Sequence, residues 1–312
     1  MTCRGPSPVH DEGRKAMQGT RATHSFELYP PRTPASAAAL PEVIRTLAAT
    51  GPEFFAVTYG ASGSSTNASF DLVQQVADAG AEVMAHLTCA GTSPAEVAGL
   101  VRRFLDIGAT GFLAVRGDAV ANGDPGALKS AAELVQLIRR VQAERRAWSL
   151  GAEARTAQVA VAAFVNGHPD SRTPTDHLDA LLAKQVAGAD LAITQMFFHP
   201  EDYTAFVERA RRWGITIPIV PGVLPVTSPA RLKRMLELSG EDEPFDLALA
   251  LELEPTEEGR YEIGIDHAAR FAEALLEAGA PALHLYTFNR ADAVVAVLDR
   301  IGLAAIPTKE TT

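Results

Sequence analysis

Residues 82–115, EVMAHLTCAGTSPAEVAGLVRRFLDIGATGFLAV, contain the unit from which the fold is predicted. A short apolar run at 82–87 is followed by a stretch of helical periodicity and then by a second apolar run at 111–115. The helical stretch opens with Ser93-x-x-Glu96, the pattern of a capping box, and a glycine marks its end. Because parallel strands need a crossover connection, a strand, a helix and a second strand in this order indicate a parallel sheet.

The same alternation continues along the rest of the chain. Apolar runs rich in β-forming residues predict eight strands, at 24–28, 54–58, 82–87, 111–115, 158–164, 191–194, 215–220 and 282–287. Helical periodicity predicts helices at 93–109, 128–144, 174–186, 200–212, 228–238 and 263–278. Eight strands with intervening helices favour a closed (β/α)8 TIM barrel over an open doubly wound sheet, since no Gly-x-Gly-x-x-Gly motif follows the first strand.

The two ends of the chain differ from its middle. Residues 1–22 mix Gly, Pro, Ser and both charge signs without a hydrophobic period, so we predict a flexible N-terminal extension there. One α/β barrel domain is predicted over 23–305, followed by a C-terminal tail at 306–312. An acidic stretch at 239–258 is predicted to be an excursion of the seventh βα unit.

Composition narrows the class of protein. The 28 Lys and Arg against 38 Asp and Glu give a net charge of -10, which argues against a general nucleic-acid binder. Two cysteines cannot form a disulfide framework, and no apolar run approaches the ~18 residues that a membrane span needs. We therefore predict a cytoplasmic protein with small-molecule substrates and no nucleic-acid or membrane partner. The sequence leaves the oligomeric state open, a homo-oligomer included.

Polar side chains recur just after the predicted strands, at the rim of a barrel where its chemistry is located. They are Glu27, Thr58, Tyr59, His86, Thr88, Arg116, Asp118, His168, Gln195, Asn289 and Arg290. Polar groups from so many separate segments on one rim are hard to explain by stability alone, so we predict a small-molecule site there. No residue spacing matches a zinc site and no Gly-x-Ser-x-Gly elbow is present, so neither metal nor acyl-enzyme chemistry is predicted.

Glu27 lies between Phe26 and Leu28, in a setting expected to be apolar. Desolvation disfavours the charged form, so we expect a raised pKa that prepares the Glu27 carboxyl to donate a proton. The alternative is a structural ion pair between Glu27 and an arginine on the rim.

Three further positions each allow two interpretations. Asp118, in the sequence Arg-Gly-Asp after the fourth strand, either meets a ligand or belongs to a solvated turn. His86 is either functional or a buried structural histidine. Gln195 either contacts a heterocycle edge or caps the end of its strand.

Taken together, seven motifs in chain order resemble those of the bacterial methylenetetrahydrofolate reductases: HSFELYPPRTP, AVTYGASGS, AHLTC, AVRGD, ITQMFF, IVPGVLPV and HLYTFNRA. The resemblance extends over about residues 25–299. It implies a (β/α)8 barrel with bound FAD that reduces 5,10-methylenetetrahydrofolate to 5-methyltetrahydrofolate with NAD(P)H. Reduced nicotinamide and folate would take turns at the flavin, in a ping-pong mechanism.

The resemblance also implies roles for individual residues. Glu27 stands at the position of the general acid that protonates folate N10, so that the five-membered ring opens to a 5-iminium cation. Asp118 stands beside the flavin and the pterin, where its charge would stabilise that cation. Substrate contacts are implied for Gln195, Arg231 and Arg290. Flavin contacts are implied for Thr58, Tyr59, Ala61, His86, Arg116, Gly117, Asp118, Ala131, Phe164, His168 and Lys184, and Thr58 is also expected to contact the nicotinamide.

Several positions depart from the family pattern. Ser130 and Phe164 stand where relatives carry tyrosine, and His177, Ala180 and Ala183 stand where relatives carry acidic or polar residues. In the helix after GVLPV, Arg231 and Met235 replace a glutamine and a phenylalanine that contact substrate. The first departures motivate an alternative, a reductase of the same folate that works without stable flavin. A second alternative is a catalytically silent folate-binding barrel.

Overall fold

The fold is seen in a computed structural model that describes residues 22–59, 66–117, 127–148 and 156–304. Apart from Ala22, the predicted N-terminal extension lies outside the described residues, as does the predicted C-terminal tail. The proposed domain boundaries therefore stay predictions.

Parallel strands form the centre of the molecule. They are β1 Thr23–Leu28, β2 Phe55–Val57, β3 Val83–Thr88, β4 Gly111–Val115, β5 Gln158–Ala163, β6 Leu191–Thr194, β7 Ile219–Val220, β8 Gly222–Val223 and β9 Ala282–Tyr286. The order of hydrogen-bonded neighbours is β7-β6-β5-β4-β3-β2-β1-β9-β8. Seven of the predicted strands are each present as one strand with bounds within one residue of the prediction.

The two ends of this order are halves of one barrel strand that Pro221 interrupts. Proline has no N–H to donate to a ladder. Before it, β7 pairs with β6, and after it, β8 pairs with β9 through Gly222 and His284. The His284 N–H donates to Pro221 O at 2.9 Å, so pairing continues across the interruption. The ring is therefore closed, and the predicted (β/α)8 barrel is confirmed.

The seventh strand was predicted at 215–220, and this range is wrong at both ends. The strand begins only at Ile219 and resumes after Pro221. The N–H groups of Thr216 and Ile217 instead donate to the side-chain oxygen of Gln185, at 2.6 and 3.0 Å. For these two residues, the Gln185 side chain on α5 takes the place of a strand carbonyl as hydrogen-bond acceptor. The apolar pattern of 215–220 carries no information about this acceptor.

Helices follow the strands and surround the barrel: α1 Pro34–Ala48, α2 Thr66–Asp78, α3 Pro94–Asp106, α4 Ala131–Trp148, α5 Asp176–Val186, α6 Pro200–Arg212, α7 Pro229–Ser239, α8 Phe245–Leu253, α9 Glu257–Glu277 and α10 Ala291–Arg300. The predicted capping box is confirmed, since Glu96 N donates to Ser93 Oγ and Ser93 N donates to Glu96 Oε2. The acidic excursion contains α8. In the described residues, no helix is long and apolar enough to cross a bilayer.

Three apolar clusters pack the molecule, and the largest lies between the strands and the surrounding helices. A second fills the lower barrel with Phe54, Ala56, Met84, Leu113, Ala160, Leu191, Ile193, Val220 and Ala282. A third cluster joins α7 and α8 to the chain just after β6 and β8 through Met196, Phe198, Leu224, Val226, Leu232, Met235, Leu247 and Leu251. Apolar packing therefore leaves the upper barrel open for polar side chains.

Packing around Gly222 leaves no room for a side chain, so we predict that a larger residue at this position destabilises the barrel. A Cβ there would lie 2.5 Å from Tyr286 Cε2 and 2.7 Å from Thr194 O. We expect Gly222→Ala to lower the free energy of unfolding by about 1–3 kcal/mol, measured by urea denaturation, because overpacking forces the neighbours to shift. Gly99, exposed in α3 with nothing within 4 Å of its Cβ position, is the control, and Gly99→Ala should raise stability by about 0.5–1 kcal/mol. Equal effects of the two changes would contradict the prediction.

Candidate active site

Glu27 lies near the carboxyl end of β1, with its side chain turned into the upper barrel and only 7% of the residue exposed. Thr58 Oγ1 donates to Glu27 Oε1 at 3.3 Å. The other carboxylate oxygen lies 3.8 Å from His86 Nε2 and 3.7 Å from His284 Nε2. Histidines from β3 and β9, rather than an arginine on the rim, are thus the basic neighbours of this carboxylate.

The expectation of a raised pKa for Glu27 is wrong in direction. Burial raises the pKa of the Glu27 carboxyl, as expected, but the imidazoles of His284 and His86 and the Tyr29 hydroxyl together lower it by more. The net pKa lies below the ordinary value, so Glu27 is ionised at neutral pH in this state of the protein. The neighbours on β3 and β9 are distant in sequence from Glu27, which is why the local pattern around it predicted desolvation alone.

Both imidazoles beside Glu27 have spare hydrogen-bonding capacity. Among the described residues, neither His86 Nε2 nor His284 Nε2 has a hydrogen-bond partner. On the other side of its ring, His284 Nδ1 shares a hydrogen bond of 2.8 Å with Ser25 Oγ. Burial lowers the pKa of His86, and the charge of Glu27 opposes this shift. Ser25, His284 and Glu27 therefore form a row of groups along which a proton can be held or moved.

A cavity of about 860 Å³ opens above this carboxylate. Of the predicted site residues, it is lined by Glu27, His86, Phe164, Gln195, Arg231 and Asn289. The Gln195 side-chain oxygen accepts from Met196 N at 2.9 Å, so the amide caps the strand end as one interpretation held, while its NH2 group is left to donate. Volume and lining fit a flat heterocyclic ligand with polar edges.

One wall of the cavity is an aromatic pair that the sequence reasoning did not single out. Tyr29 and Phe288 stack with ring centroids 5.1 Å apart and planes 7° from parallel. Phe288 and Asn289 both have positive φ, 48° and 59°, a conformation that is uncommon outside glycine. Asn289 holds it in place, because its side chain accepts from Tyr29 N at 2.9 Å and donates to Tyr29 O at 2.7 Å. The only sequence signal was an aromatic residue directly after each of two strands.

Basic groups gather beside the cavity, just beyond β4 and β5. Arg116 donates to Asp170 Oδ2 at 2.6 Å, and His168 Nδ1 lies 3.9 Å from the same oxygen. Lys184 reaches over from α5 and donates to Ala162 O at 2.8 Å. Burial, assisted by the charge of Arg116, lowers the pKa of Lys184 to about 8. Three basic side chains with one acidic partner can bind an anionic group here.

The remaining predicted residues are distributed around these features. Thr58 touches Glu27, and Gly117 adopts φ +82°, where a Cβ would lie 3.1 Å from Thr88 Cβ. Ala131 is buried at the start of α4, and Tyr59 meets Phe70 and Phe104 edge-on, with centroids 6.4 and 5.7 Å away. Arg290 pairs with Asp292 at 3.0 Å and lies outside the lining of the main cavity. Asp118 and Ala61 fall outside the described residues.

Comparison with known proteins identifies the family. The model of the family described as methylenetetrahydrofolate reductase matches residues 13–302. The chain belongs to this family. The predicted family and the predicted class of enzyme, an oxidoreductase, are thereby confirmed.

Individual relatives agree with the methylenetetrahydrofolate reductase assignment. The chain is 31% identical to the 5,10-methylenetetrahydrofolate reductase of Escherichia coli strain K12 over 284 residues, which cover 89% of this chain and 90% of the relative. It is 29% identical to methylenetetrahydrofolate reductase (NADH) 1 of Arabidopsis thaliana, of which it covers 51%. A Clostridium thermocellum protein whose structure binds two copies of 5-methyl-5,6,7,8-tetrahydrofolic acid superposes with a TM-score of 0.63 at 13% identity, covering 92% of this chain and 98% of that one. This last likeness shows the fold alone.

The lowered pKa of Lys184 predicts that anion binding beside the cavity depends on pH. As pH rises through about 8, Lys184 loses its proton and the basic group loses one positive charge. We expect the affinity for inorganic pyrophosphate, measured by isothermal titration calorimetry, to fall roughly tenfold between about pH 7 and about pH 9.5. Lys184→Gln should bind weakly at both values, whereas the exposed control Lys233→Gln should behave like the unmodified protein. A pH dependence that survives Lys184→Gln would contradict the assignment.

Proposed function

We propose that this protein reduces 5,10-methylenetetrahydrofolate to 5-methyltetrahydrofolate with reduced nicotinamide, through bound FAD. One observation carries the proposal: a buried carboxylate, Glu27, lies with two imidazoles at the floor of a large cavity, in a chain of the methylenetetrahydrofolate reductase family. A proton donor and a cavity for a flat heterocycle are the two things that this reduction requires of the protein. Use of NADH or NADPH, bound FAD and a cytoplasmic location are parts of this proposal.

The residues beside the cavity fit FAD. Arg116, His168 and Lys184 would hold its phosphates, since they supply positive charge at one place. The unpartnered Nε2 of His86 would serve a polar edge of the ring system. Gly117 allows the backbone to come close, in a conformation that other residues rarely adopt. When bound, FAD supplies two-electron chemistry, accepting and returning a hydride.

Glu27 would provide the proton for folate N10. In the open cavity its carboxyl is ionised, so a proton has to reach it before ring opening. A bound pterin excludes water from the cavity, and the loss of solvation raises the pKa of a buried carboxyl. His284, hydrogen-bonded to Ser25, would hold or pass the proton at Nε2, 3.7 Å from the carboxylate. The protonation of Glu27 would thus depend on its histidine neighbour, whereas Thr58 holds the carboxylate by a hydrogen bond.

The other cavity residues would bind and orient the folate. The free NH2 group of Gln195 would donate to the pterin. The Tyr29–Phe288 pair would offer aromatic surface to the benzoyl ring that follows the pterin in folate. Arg231 and Arg290 would meet the carboxylates of the glutamyl end. Asp118, implied by the resemblance to lie near the flavin and the pterin, keeps that role as a prediction.

Substitution of Glu27 tests the proton donor. We expect Glu27→Gln to lower folate turnover about a hundredfold or more, because an amide cannot supply the N10 proton. Reduction of bound flavin by NADH or NADPH should continue at nearly the unmodified rate, measured separately by stopped-flow absorbance. Glu53→Gln, an exposed change just before β2, is the matched control. Undiminished folate turnover in Glu27→Gln would show that another group donates the proton.

An absorption spectrum of the purified protein tests flavin dependence. We expect a yellow protein whose flavin bands bleach on anaerobic addition of NADH or NADPH and return on addition of methylenetetrahydrofolate. A colourless protein that still turns over would favour the reductase without flavin, which the exposed Ala180 and Ala183 on α5 motivated. A protein that binds folate without turnover would identify a silent binding barrel.

A further inference from the structure

Tyr29 follows Glu27 by two residues and, like Glu27, lines the main cavity. Side chains alternate along an extended chain, so these two face the cavity, whereas Phe26 and Leu28 pack in the apolar cluster between strands and helices. The Tyr29 hydroxyl forms a side-chain hydrogen bond with the Glu27 carboxylate. A hydroxyl whose role the proposed function leaves open therefore adjoins the proposed proton donor.

The turn after β9 fixes the main chain of both residues. Thr287 Oγ1 donates to Glu27 O at 2.6 Å. The Asn289 side chain accepts from Tyr29 N and donates to Tyr29 O, and Asn289 N donates to Thr287 Oγ1 at 2.9 Å. The same turn contains the two non-glycine residues with positive φ, a conformation that persists only where the surrounding structure requires it. One turn thus sets the positions of residues 27 and 29 relative to each other.

The ring of Tyr29 is held as well as its main chain. It stacks on Phe288 with the two planes 7° from parallel. Because both the main chain and the ring are held, the hydroxyl stays beside the carboxylate. Phenylalanine would provide the same stacked ring, so aromatic surface alone does not account for a tyrosine at this position.

The hydroxyl and the carboxylate act on each other. Burial raises the pKa of the Glu27 carboxyl, and the Tyr29 hydroxyl is one of the groups that lower it. Burial and then the charge of Glu27 raise the pKa of Tyr29 well above its ordinary value. A hydrogen bond donated to an ionised carboxyl stabilises the charged form, so it opposes uptake of a proton. The other titratable or charged groups that face this pair are His86 on β3, His284 and Tyr286 on β9, and Arg32 after β1.

We propose that Tyr29 is a positioning residue whose hydroxyl holds Glu27 as a carboxylate while the cavity is open, and so determines the pH range in which Glu27 takes up its proton. This inference rests on the proposed function, because it takes Glu27 as the proton donor to folate N10. Tyr29 acts through Glu27 and not on the reacting atoms. Without the hydroxyl, Glu27 is protonated more readily, and proton donation extends to higher pH.

Tyr29→Phe tests the proposal, because it removes the hydroxyl and keeps the stacked ring. In the full-length protein without substrate, infrared difference spectroscopy follows the C=O stretch of the protonated Glu27 carboxyl, identified as the band that Glu27→Gln lacks. We expect the midpoint of its pH titration to rise by about one pH unit, since one charge-assisted hydrogen bond is lost. The matched control is Tyr261→Phe, at another half-buried tyrosine that lies on α9 outside the lining of the main cavity, and it should leave the midpoint unchanged.

The pH profile of folate reduction gives a second readout. In single-turnover reduction of methylenetetrahydrofolate, the alkaline decline in rate should move to higher pH by the same amount. Tyr29→Phe should therefore be severalfold faster than the unmodified protein on the alkaline side of the profile. A purely structural role of Tyr29 would instead lower the rate at every pH and leave the profile where it is.

Asn289→Gly tests whether the turn after β9 acts through the hydroxyl. Glycine adopts the positive φ of this position without strain but makes neither of the side-chain hydrogen bonds to Tyr29. We expect the Glu27 midpoint to rise in Asn289→Gly by less than in Tyr29→Phe. The double variant should show the same midpoint as Tyr29→Phe alone, because the turn has no hydroxyl left to position.

Three outcomes would overturn the inference. They are an unchanged midpoint in Tyr29→Phe, an equal shift in Tyr261→Phe, and a midpoint in the double variant that rises beyond that of Tyr29→Phe. The titration needs no turnover, so it decides the role of Tyr29 independently of the proposed function. Undiminished folate turnover in Glu27→Gln contradicts the proton donor, whereas an unchanged midpoint in Tyr29→Phe contradicts only the inference about Tyr29.

Discussion

The closure of the barrel at Pro221 determines where the groups of the site lie. Proline has no N–H to donate to a ladder, so Pro221 divides this barrel strand into two halves. The first half, β7, pairs with β6, and the second half, β8, pairs with β9. The hydrogen bond from His284 N to Pro221 O joins the two halves, and the residue that donates it carries one of the two imidazoles beside Glu27. The pairing of β1 with β9 aligns Ser25 with His284 and Glu27 with Tyr286. Closing the ring and assembling the proton-carrying groups are therefore one structural event.

Opposing electrostatic effects set the state of Glu27. Burial disfavours the ionised carboxyl, and the imidazoles of His86 and His284 favour it by more. The pKa of Glu27 is easily shifted, because a ligand that displaces water strengthens the effect of burial and leaves the histidines in place. A carboxyl that is ionised when the cavity is open and protonated when it is filled would donate its proton only in the presence of substrate. Local apolar neighbours alone could not provide that dependence.

Elements that depend on neighbours along the chain were predictable, and features that depend on distant neighbours were not. The capping box at Ser93 and the strand at 111–115 follow from local periodicity, and both are present. The direction of the Glu27 pKa shift and the start of the seventh strand depend on His284 and Gln185, which lie far away in sequence. The order of the motifs identified the family. Phe288 and Asn289, whose positive φ angles shape the aromatic wall, leave no periodic signal in the sequence.

The third apolar cluster, around α7 and α8, is separate from the clusters inside and outside the barrel. A unit with its own small core can lose its packing while the larger core stays intact, so its amide protons should exchange with solvent at a lower free energy than those of the barrel strands. Arg231 and Met235 lie on α7 and line the cavity. This wall of the cavity therefore packs in a smaller apolar cluster than the barrel does. Natural variation in ligand preference can accumulate in this unit at little cost to the stability of the barrel.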